Sequence, residues 1–112
     1  MIRIFTTGGT IDKVYFDANS EFEIGESLVP ELLAESNIHE GYILQGLLRK
    51  DSLEMTDGDR TQVLEAVSGC DSDRILITHG TDTMAETAQA LSSLNDKTIV
   101  LTGAMQPARM RR

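Results

Sequence analysis

The sequence predicts a three-layer α/β domain with a mainly parallel sheet. Two apolar runs, Arg74–Thr78 and Thr98–Thr102, are continuous rather than alternating, which is typical of strands buried on both faces of a parallel sheet. A third apolar run opens the chain at residues 2–7, and helical patterns lie between the runs. The 112 residues suffice for one domain of this kind and leave no room for a second.

Strands and helices are expected to alternate along the chain. The expected strands are residues 2–7, 42–48, 74–78 and 98–102, and the expected helices are residues 28–36, 59–68 and a segment that begins after Thr83. Pro30 lies early in the first helix, where its missing N–H costs nothing. Thr56 or Asp57 would cap the second helix, and Gly69 would end it.

The third helix begins with a predicted capping box. Thr83 is followed three residues later by Glu86, the pairing in which each side chain bonds the other's backbone N–H. Met84, Ala88 and Leu91 repeat on one face, which is therefore expected to pack on the sheet.

Residues 12–27 follow neither pattern and contain aromatic, polar and glycine residues. Irregular segments of this length in compact domains are usually functional and often act as lids. The alternative is a β-hairpin packed on the sheet edge. The sequence leaves both interpretations open.

The formal net charge of −8 argues against a nucleic-acid partner or an anionic membrane, because both are bound by clustered Lys and Arg. Cys70 is the only cysteine, so an internal disulfide is excluded and a reducing compartment is indicated. No run of 18 apolar residues and no signal-peptide pattern occur, which favours a cytoplasmic protein.

Two turns rich in threonine and glycine directly follow the first and third strands. They are Thr7-Gly8-Gly9-Thr10-Ile11 and His79-Gly80-Thr81-Asp82-Thr83-Met84. Because ligands bind at the carboxyl ends of the strands in an open α/β sheet, the two turns predict one shared site. We therefore expect a flavodoxin-like arrangement in which Thr10, Thr81 and Asp82 converge.

The residue types in these turns allow more than one chemistry. A threonine hydroxyl becomes a nucleophile only beside a base, and the glycines let backbone N–H groups approach an anion closely. Asp82 could hold an ammonium group or cap a helix, while His79 lacks partners at a metal spacing and is expected to make a structural hydrogen bond. The alternative is a module that binds the phosphate of FMN, although few aromatic residues are present to stack on a flavin.

The two turns resemble the signature motifs of the bacterial-type L-asparaginases. Two further segments support the resemblance, Asp51-Ser52-Leu53-Glu54-Met55 and Leu101-Thr102-Gly103-Ala104-Met105-Gln106-Pro107. The resemblance implies an amidohydrolase that converts L-asparagine, and in some members L-glutamine, to the acid and ammonia without a cofactor or metal. It runs from Ile2 to about Pro107. The strand 98–102 has no following helix in this sequence to cover it, so we expect one of its faces, either Ile99 and Leu101 or Val100, to be exposed in a monomer. We therefore expect a homo-oligomer, a dimer or a tetramer.

Carried over residue by residue, the resemblance assigns a role to each candidate side chain. Thr10 would be the nucleophile that forms an acyl-enzyme, and Thr81 the second catalytic hydroxyl. Asp82 would bind the substrate's α-ammonium and Ser52 its α-carboxylate. Gly9 and Gly80 would complete the substrate-binding surface, and Tyr15 would supply the lid hydroxyl.

The chain also departs from the family. The lysine that activates the second threonine in the family has no match here, since Lys97 precedes the last strand. Phe22, which lacks a hydroxyl, aligns with the lid tyrosine, and Leu53 stands where a polar side chain is common. We therefore expect residues 1–112 to form an asparaginase-like N-terminal domain, with the end of that domain and the family's second domain absent. A related alternative is a component of a glutamine-dependent tRNA amidotransferase.

Overall fold

The computed structural model describes residues 1–9, 13–15, 22–24, 29–35, 41–50 and 52–103. The strands are β1 (Ile2–Gly8), β2 (Lys13–Tyr15), β3 (Phe22–Ile24), β4 (Tyr42–Lys50), β5 (Arg74–Thr78) and β6 (Thr98–Thr102). The helices are α1 (Val29–Glu35), α2 (Asp57–Gly69) and α3 (Met84–Ala90), with a 3₁₀ turn at Ser52–Glu54. The four strands and three helices expected from the sequence are therefore confirmed and differ only at their ends.

Four of the strands form one parallel sheet in the order β4-β1-β5-β6. The first strand lies between the next two strands of the sheet, which is the flavodoxin-like order predicted from the sequence. Thr6 of β1 pairs with Thr78 of β5, and Thr78 pairs with Thr102 of β6. This register aligns the carboxyl ends of three adjacent strands along one edge of the sheet.

One face of the sheet carries the hydrophobic core. Alternate residues of β1 and β5 point to this face, where they pack against α2 and the end of α3. The fully buried members are Phe5, Val63, Val67, Ile75, Ile77 and Leu91. Burial of this cluster is the main stabilising contribution that holds α2 and α3 on the sheet.

The other face of the sheet is only partly covered at β6. Burial alternates along β6, and Val100 is 52% exposed. Val100, Ile2 and Leu76 line an apolar depression of about 320 Å³. Burial on both faces, which the continuous apolar run predicts, is therefore wrong for β6, because only its Ile99 and Leu101 face packs on the core. The expectation that one face of this strand is exposed in a single copy is confirmed at Val100.

Both α2 and α3 begin near the residues that the sequence predicts, but only α2 has a side-chain cap. Thr56 accepts a hydrogen bond from the Asp59 N–H, and the Asp59 carboxylate accepts one from the Thr56 N–H, which completes a capping box. Thr83 precedes α3, but its side chain makes no capping bond. The predicted capping box at Thr83 is therefore wrong, because its hydroxyl donates to the Ser52 carbonyl instead.

The predicted buried face of α3 is also partly wrong. Leu91 is buried as expected, but Ala88 is exposed, and the buried residue within the helix is Thr87. Thr87 and Leu91 are four residues apart, so the face that packs inward is rotated from the predicted one.

The segment of residues 12–27, which follows neither a helical nor a strand pattern, includes the two short strands β2 and β3. β2 and β3 pair antiparallel and form a separate two-stranded sheet. The strands agree with the hairpin interpretation of residues 12–27, and the lid interpretation stays a prediction. Among the helices that the structure describes, none is long and apolar enough to cross a membrane.

Candidate active site

The two glycine-containing turns touch each other at the carboxyl edge of the sheet. Gly9 adopts φ 86°, in the left-handed region that favours glycine, and its N–H donates to the Lys50 carbonyl at 3.0 Å. A Cβ at Gly9 would lie 2.6 Å from the backbone nitrogen of Gly80. The first turn therefore requires glycine for its conformation and for its contact with the second.

Ser52 lies against the second turn from the opposite direction. A Cβ at Gly80 would lie 2.6 Å from Ser52 Oγ, so only glycine fits there. Ser52 is 1% exposed, and its hydroxyl has no hydrogen-bond partner among the described residues. The Thr83 hydroxyl donates to the Ser52 carbonyl at 2.9 Å, which fastens the 3₁₀ turn to the start of α3. Buried hydroxyls are nearly always paired, so the Ser52 hydroxyl lacks a bond that such groups usually make.

The structure brings together three of the predicted site residues, Gly9, Ser52 and Gly80. Thr81 and Asp82 follow Gly80 directly and are exposed at the same edge. Thr10 lies outside the described residues, and Tyr15 is described only as a residue of β2. Leu53, beside Ser52, is 72% exposed.

His79 makes the structural hydrogen bonds that the sequence predicts. It is fully buried, and its two ring nitrogens lie 2.7 Å from the Gly80 carbonyl and 2.7 Å from the Thr87 hydroxyl. Burial lowers the pKa of His79 below its usual range. Sequence reasoning missed Thr87. Its spacing of four from Leu91 is the signal that could have placed it on the inner face of α3.

The two lysine side chains that the structure describes are both engaged away from the threonine turns. Lys50 Nζ lies 2.8 Å from the Asp59 carboxylate at the start of α2. Lys97 Nζ donates to the carbonyls of Cys70 and Ser72, which precede β5. The strands run away from that end of the sheet toward the candidate site. Lys97 therefore lies at the opposite edge from Thr81.

Ser52 and Asp82 provide hydrogen-bonding groups for a small ligand that carries both a carboxylate and an ammonium group. A buried unpaired hydroxyl can donate to a carboxylate, and the exposed Asp82 carboxylate can accept from an ammonium group. Among the described residues, no group of three or more His, Cys, Asp or Glu side chains is placed to hold a metal ion.

Comparison with known proteins agrees with this geometry. The family described as Asparaginase, N-terminal, matches residues 1–112. A probable periplasmic L-asparaginase of Haemophilus influenzae is 35% identical over 119 residues, which cover 96% of this chain and 33% of that protein. The solved structure of the thermostable L-asparaginase from Thermococcus kodakarensis superposes with a TM-score of 0.79 at 30% identity, covering 99% of this chain and 36% of that one.

A relative with a different named role also matches. This relative, a glutamyl-tRNA(Gln) amidotransferase component of Methanosphaera stadtmanae, is 34% identical over 113 residues, which cover 94% of this chain and 26% of that protein. The chain thus spans about a third or less of the length of these relatives. The match along all 112 residues and the shared fold show that this chain belongs to the asparaginase family.

Proposed function

We propose that the protein hydrolyses L-asparagine to L-aspartate and ammonia, with Thr10 as the nucleophile. The contact between Gly9 and Gly80 carries the proposal, because these glycines adjoin Thr10 and Thr81 in the chain. Two hydroxyl-bearing residues that flank one backbone contact can act on one small substrate. The unpaired Ser52 hydroxyl at that contact supports a substrate site there.

The substrate would be held through its α-amino acid group. Asp82 would accept from the α-ammonium, and Ser52 would donate to the α-carboxylate. Glycine at positions 9 and 80 lets the two turns and Ser52 approach each other closely, since a Cβ at either position would collide with protein atoms. Thr81 would be the second catalytic hydroxyl, and Tyr15 would supply a hydroxyl from the lid.

The proposed reaction has two steps. The Thr10 oxygen adds to the side-chain amide carbon, the C–N bond breaks, and the nitrogen leaves as ammonia after it gains a proton. Water then attacks the resulting ester, releases L-aspartate and returns the proton to the threonine oxygen. Neither step requires an oxidant, a reductant or a cofactor.

Ammonia release from L-asparagine tests the proposal. Thr10→Ala should abolish turnover, while Thr61→Ala, which removes a threonine hydroxyl on the exposed side of α2, should leave turnover unchanged. Equal turnover by the wild type and Thr10→Ala would contradict the nucleophile assignment. A yellow purified protein with flavin absorbance would instead favour the FMN-binding alternative.

We infer that residues 1–112 act as an N-terminal domain and are weakly active alone. Ser52 and Asp82 are present to bind substrate, but both described lysine side chains are engaged elsewhere. General-base assistance is typically worth about 10²- to 10⁴-fold. Joining the part of the Haemophilus relative that follows its matched segment after Arg112 should raise turnover by a factor in that range. Equal turnover by the chain and the fusion would show that residues 1–112 supply their own base.

A second candidate is a subunit of a glutamine-dependent tRNA amidotransferase. The observation that favours it is the match to the amidotransferase component of Methanosphaera stadtmanae. Ammonia release that depends on a partner protein and charged tRNA would support this candidate, whereas release from free L-asparagine would support the first.

We further propose that the chain forms a homo-oligomer through the exposed face of β6. Val100 and the apolar depression beside it would be buried against a second copy. Such burial stabilises the association by about 25 cal/mol per Å² of apolar area. Light scattering should return at least a dimer mass, and Val100→Lys should return a monomer.

A cytoplasmic location remains a prediction, since the Haemophilus relative is named as periplasmic.

A further inference from the structure

The His79 imidazole is a buried polar group that the proposed reaction does not use. It lies between the second turn and α3, with one ring nitrogen at the Gly80 carbonyl and the other at the Thr87 hydroxyl. Both distances are 2.7 Å, and the ring is fully buried. These two hydrogen bonds restrain the Gly80 carbonyl and the Thr87 side chain.

The partners of the ring determine where its proton lies. A carbonyl oxygen can only accept, so Nδ1 must carry the hydrogen that it donates to Gly80. In the neutral ring, Nε2 then accepts from the Thr87 hydroxyl. The imidazole is therefore held in one tautomer by two partners of opposite character.

The neutral ring is favoured by its surroundings. Burial is the largest cause of the lowered pKa of His79, and Arg60 on α2 lowers it further. The Gly80 carbonyl and Glu86 on α3 raise the same pKa without cancelling the effect of burial. The imidazole is consequently uncharged at neutral pH.

The Gly80 carbonyl belongs to the peptide plane that leads into Thr81. Because a peptide is planar, fixing its oxygen also fixes its N–H and the direction in which the next residue leaves. Glycine has the freest backbone of any residue, so this plane would otherwise rotate easily. The hydrogen bond from His79 removes that freedom immediately before the exposed Thr81 and Asp82.

The rest of His79 is anchored as well. Its backbone N–H donates to the Thr102 carbonyl at 2.9 Å, which ties it to the end of β6. Its carbonyl oxygen contacts Gly103 so closely that a Cβ there would collide with it. Because His79 is hydrogen-bonded to both β6 and α3, its ring holds the Gly80–Thr81 peptide in a fixed position relative to these two elements.

We propose that His79 and Thr87 form a positioning pair that sets the direction of Thr81 and Asp82 toward the ligand. Thr87 holds the ring, and the ring holds the Gly80 carbonyl. Neither residue touches the substrate. The inference rests on the proposed function for its ligand, an α-amino acid, but its geometric part can be tested separately.

Thr87→Val removes the hydroxyl with little change in shape and leaves Nε2 without its donor. Thr61→Val is the matched control. It makes the same change in another helix, where the Thr61 hydroxyl donates to the Asp57 carbonyl and does not contact His79. We expect Thr87→Val to weaken L-aspartate binding by about tenfold in calorimetry, the effect of leaving one buried polar group unpaired. Thr87→Ser should restore binding, and Thr61→Val should not change it.

A purely structural role would give a different result. If Thr87→Val lowers the midpoint of thermal unfolding but leaves L-aspartate affinity equal to that of the wild type, the positioning role is overturned. Should Thr87→Val fail to fold, NMR of the wild-type imidazole decides, since the proposal requires the Nδ1–H tautomer of the ring at neutral pH. An Nε2–H tautomer would refute it.

Failure of the proposed function can be recognised independently. If the wild type binds no L-aspartate at millimolar concentration, the amino acid ligand is wrong and the positioning pair is judged by NMR relaxation of the backbone. The order parameter of the Thr81 N–H should then be lower in Thr87→Val than in Thr61→Val, because the Gly80–Thr81 peptide has lost its restraint. An unchanged order parameter would reject the positioning pair.

Discussion

Helices α2 and α3 both begin after a threonine that is followed three residues later by an acidic residue, yet the two threonines bind different partners. Thr56 bonds the backbone of its own helix, whereas Thr83 donates to the carbonyl of Ser52. α3 also reaches the candidate site through Thr87 and the His79 ring. The Thr56 hydroxyl therefore serves its own helix, whereas the Thr83 hydroxyl ties the start of α3 to the site.

The largest expected effect comes from the contact between Ser52 and Gly80 that α3 supports. In Gly80→Ala, the new Cβ would lie 2.6 Å from Ser52 Oγ and 2.7 Å from Ser52 Cβ, so the 3₁₀ turn must move. We expect a loss of about 1–3 kcal/mol in unfolding free energy, the usual cost of overpacking, together with loss of L-aspartate binding. Urea unfolding and calorimetry measure the two quantities.

Gly69→Ala is the control for that substitution. Gly69 ends α2, and a Cβ there would meet nothing within 4 Å. Alanine should therefore stabilise the protein by about 0.5–1 kcal/mol, because glycine is a poor helix residue. Equal stability losses at positions 69 and 80 would contradict the steric argument.

The second prediction concerns the pH dependence of the buried imidazole. The folded pKa of His79 lies below the usual value of 6.5, so beneath that pH the unfolded chain takes up a proton that the folded chain resists. This contribution to stability is fully present above the unfolded pKa and is lost as the pH falls toward the folded one. The slope should approach at most about 1.4 kcal/mol per pH unit.

His79→Gln removes this titration and keeps a polar side chain. Unfolding free energies measured between about pH 7 and 5 should fall more steeply in the wild type than in the variant. His39 is present in both proteins, so any contribution it makes cancels in the difference. Parallel curves would show that His79 is not the group that resists protonation.

The two threonines that precede the helices give a paired prediction. Thr56→Val should lower unfolding free energy by about 1 kcal/mol, the typical value of a cap, and leave L-aspartate affinity unchanged. Thr83→Val should weaken L-aspartate binding several-fold and cost little helix stability, because its hydroxyl does not cap α3. The reverse pattern would mean that the hydroxyl of Thr83 serves the helix.

Residues around these helix starts also show how much could be predicted from the sequence. Local patterns predicted the bounds of β5 and β6 and a cap at Thr56 or Asp57, and the structure confirms the bounds and has Thr56 as the cap. The partner of Thr83 lies in a turn distant in the chain, and no local pattern encodes such a contact. A tertiary acceptor that fits the hydroxyl therefore overrides the capping preference.

In the candidate site, too, some features could be predicted from local sequence patterns and others could not. Two glycine turns after neighbouring strands predicted one shared edge, and the contact of Gly9 with Gly80 confirms it. The position of Ser52 came from resemblance to a family, since nothing in a lone serine indicates that its hydroxyl is buried and unpaired. Exposure of one face of β6 was expected of a strand without a covering helix, although the apolar run alone predicted full burial.

The smallest expected effect concerns the ion pair that supports the start of α2. Asp59 completes the capping box and also accepts from Lys50 Nζ at 2.8 Å. The hydrogen bond from Lys50 is the largest cause of the lowered pKa of Asp59. Its contribution is therefore present above the unfolded pKa of about 3.8 and is lost as the pH falls below that value.

Lys50→Met tests this contribution while keeping the length of the side chain. The Lys50 side chain is 40% exposed, so solvent screens the pair and the loss at neutral pH should be only about 0.2–1 kcal/mol. The difference from the wild type should shrink in high salt, and it should diminish as the pH falls below 3.8 and Asp59 takes up a proton. A difference that persists at acid pH would show that Lys50 stabilises the fold through packing of its stem rather than through its charge. The substitution removes the Nζ contact with Asp59 but keeps the Lys50 carbonyl that accepts from Gly9, so L-aspartate affinity should stay unchanged throughout. A fall in affinity would mean that the start of α2, like that of α3, is coupled to the site.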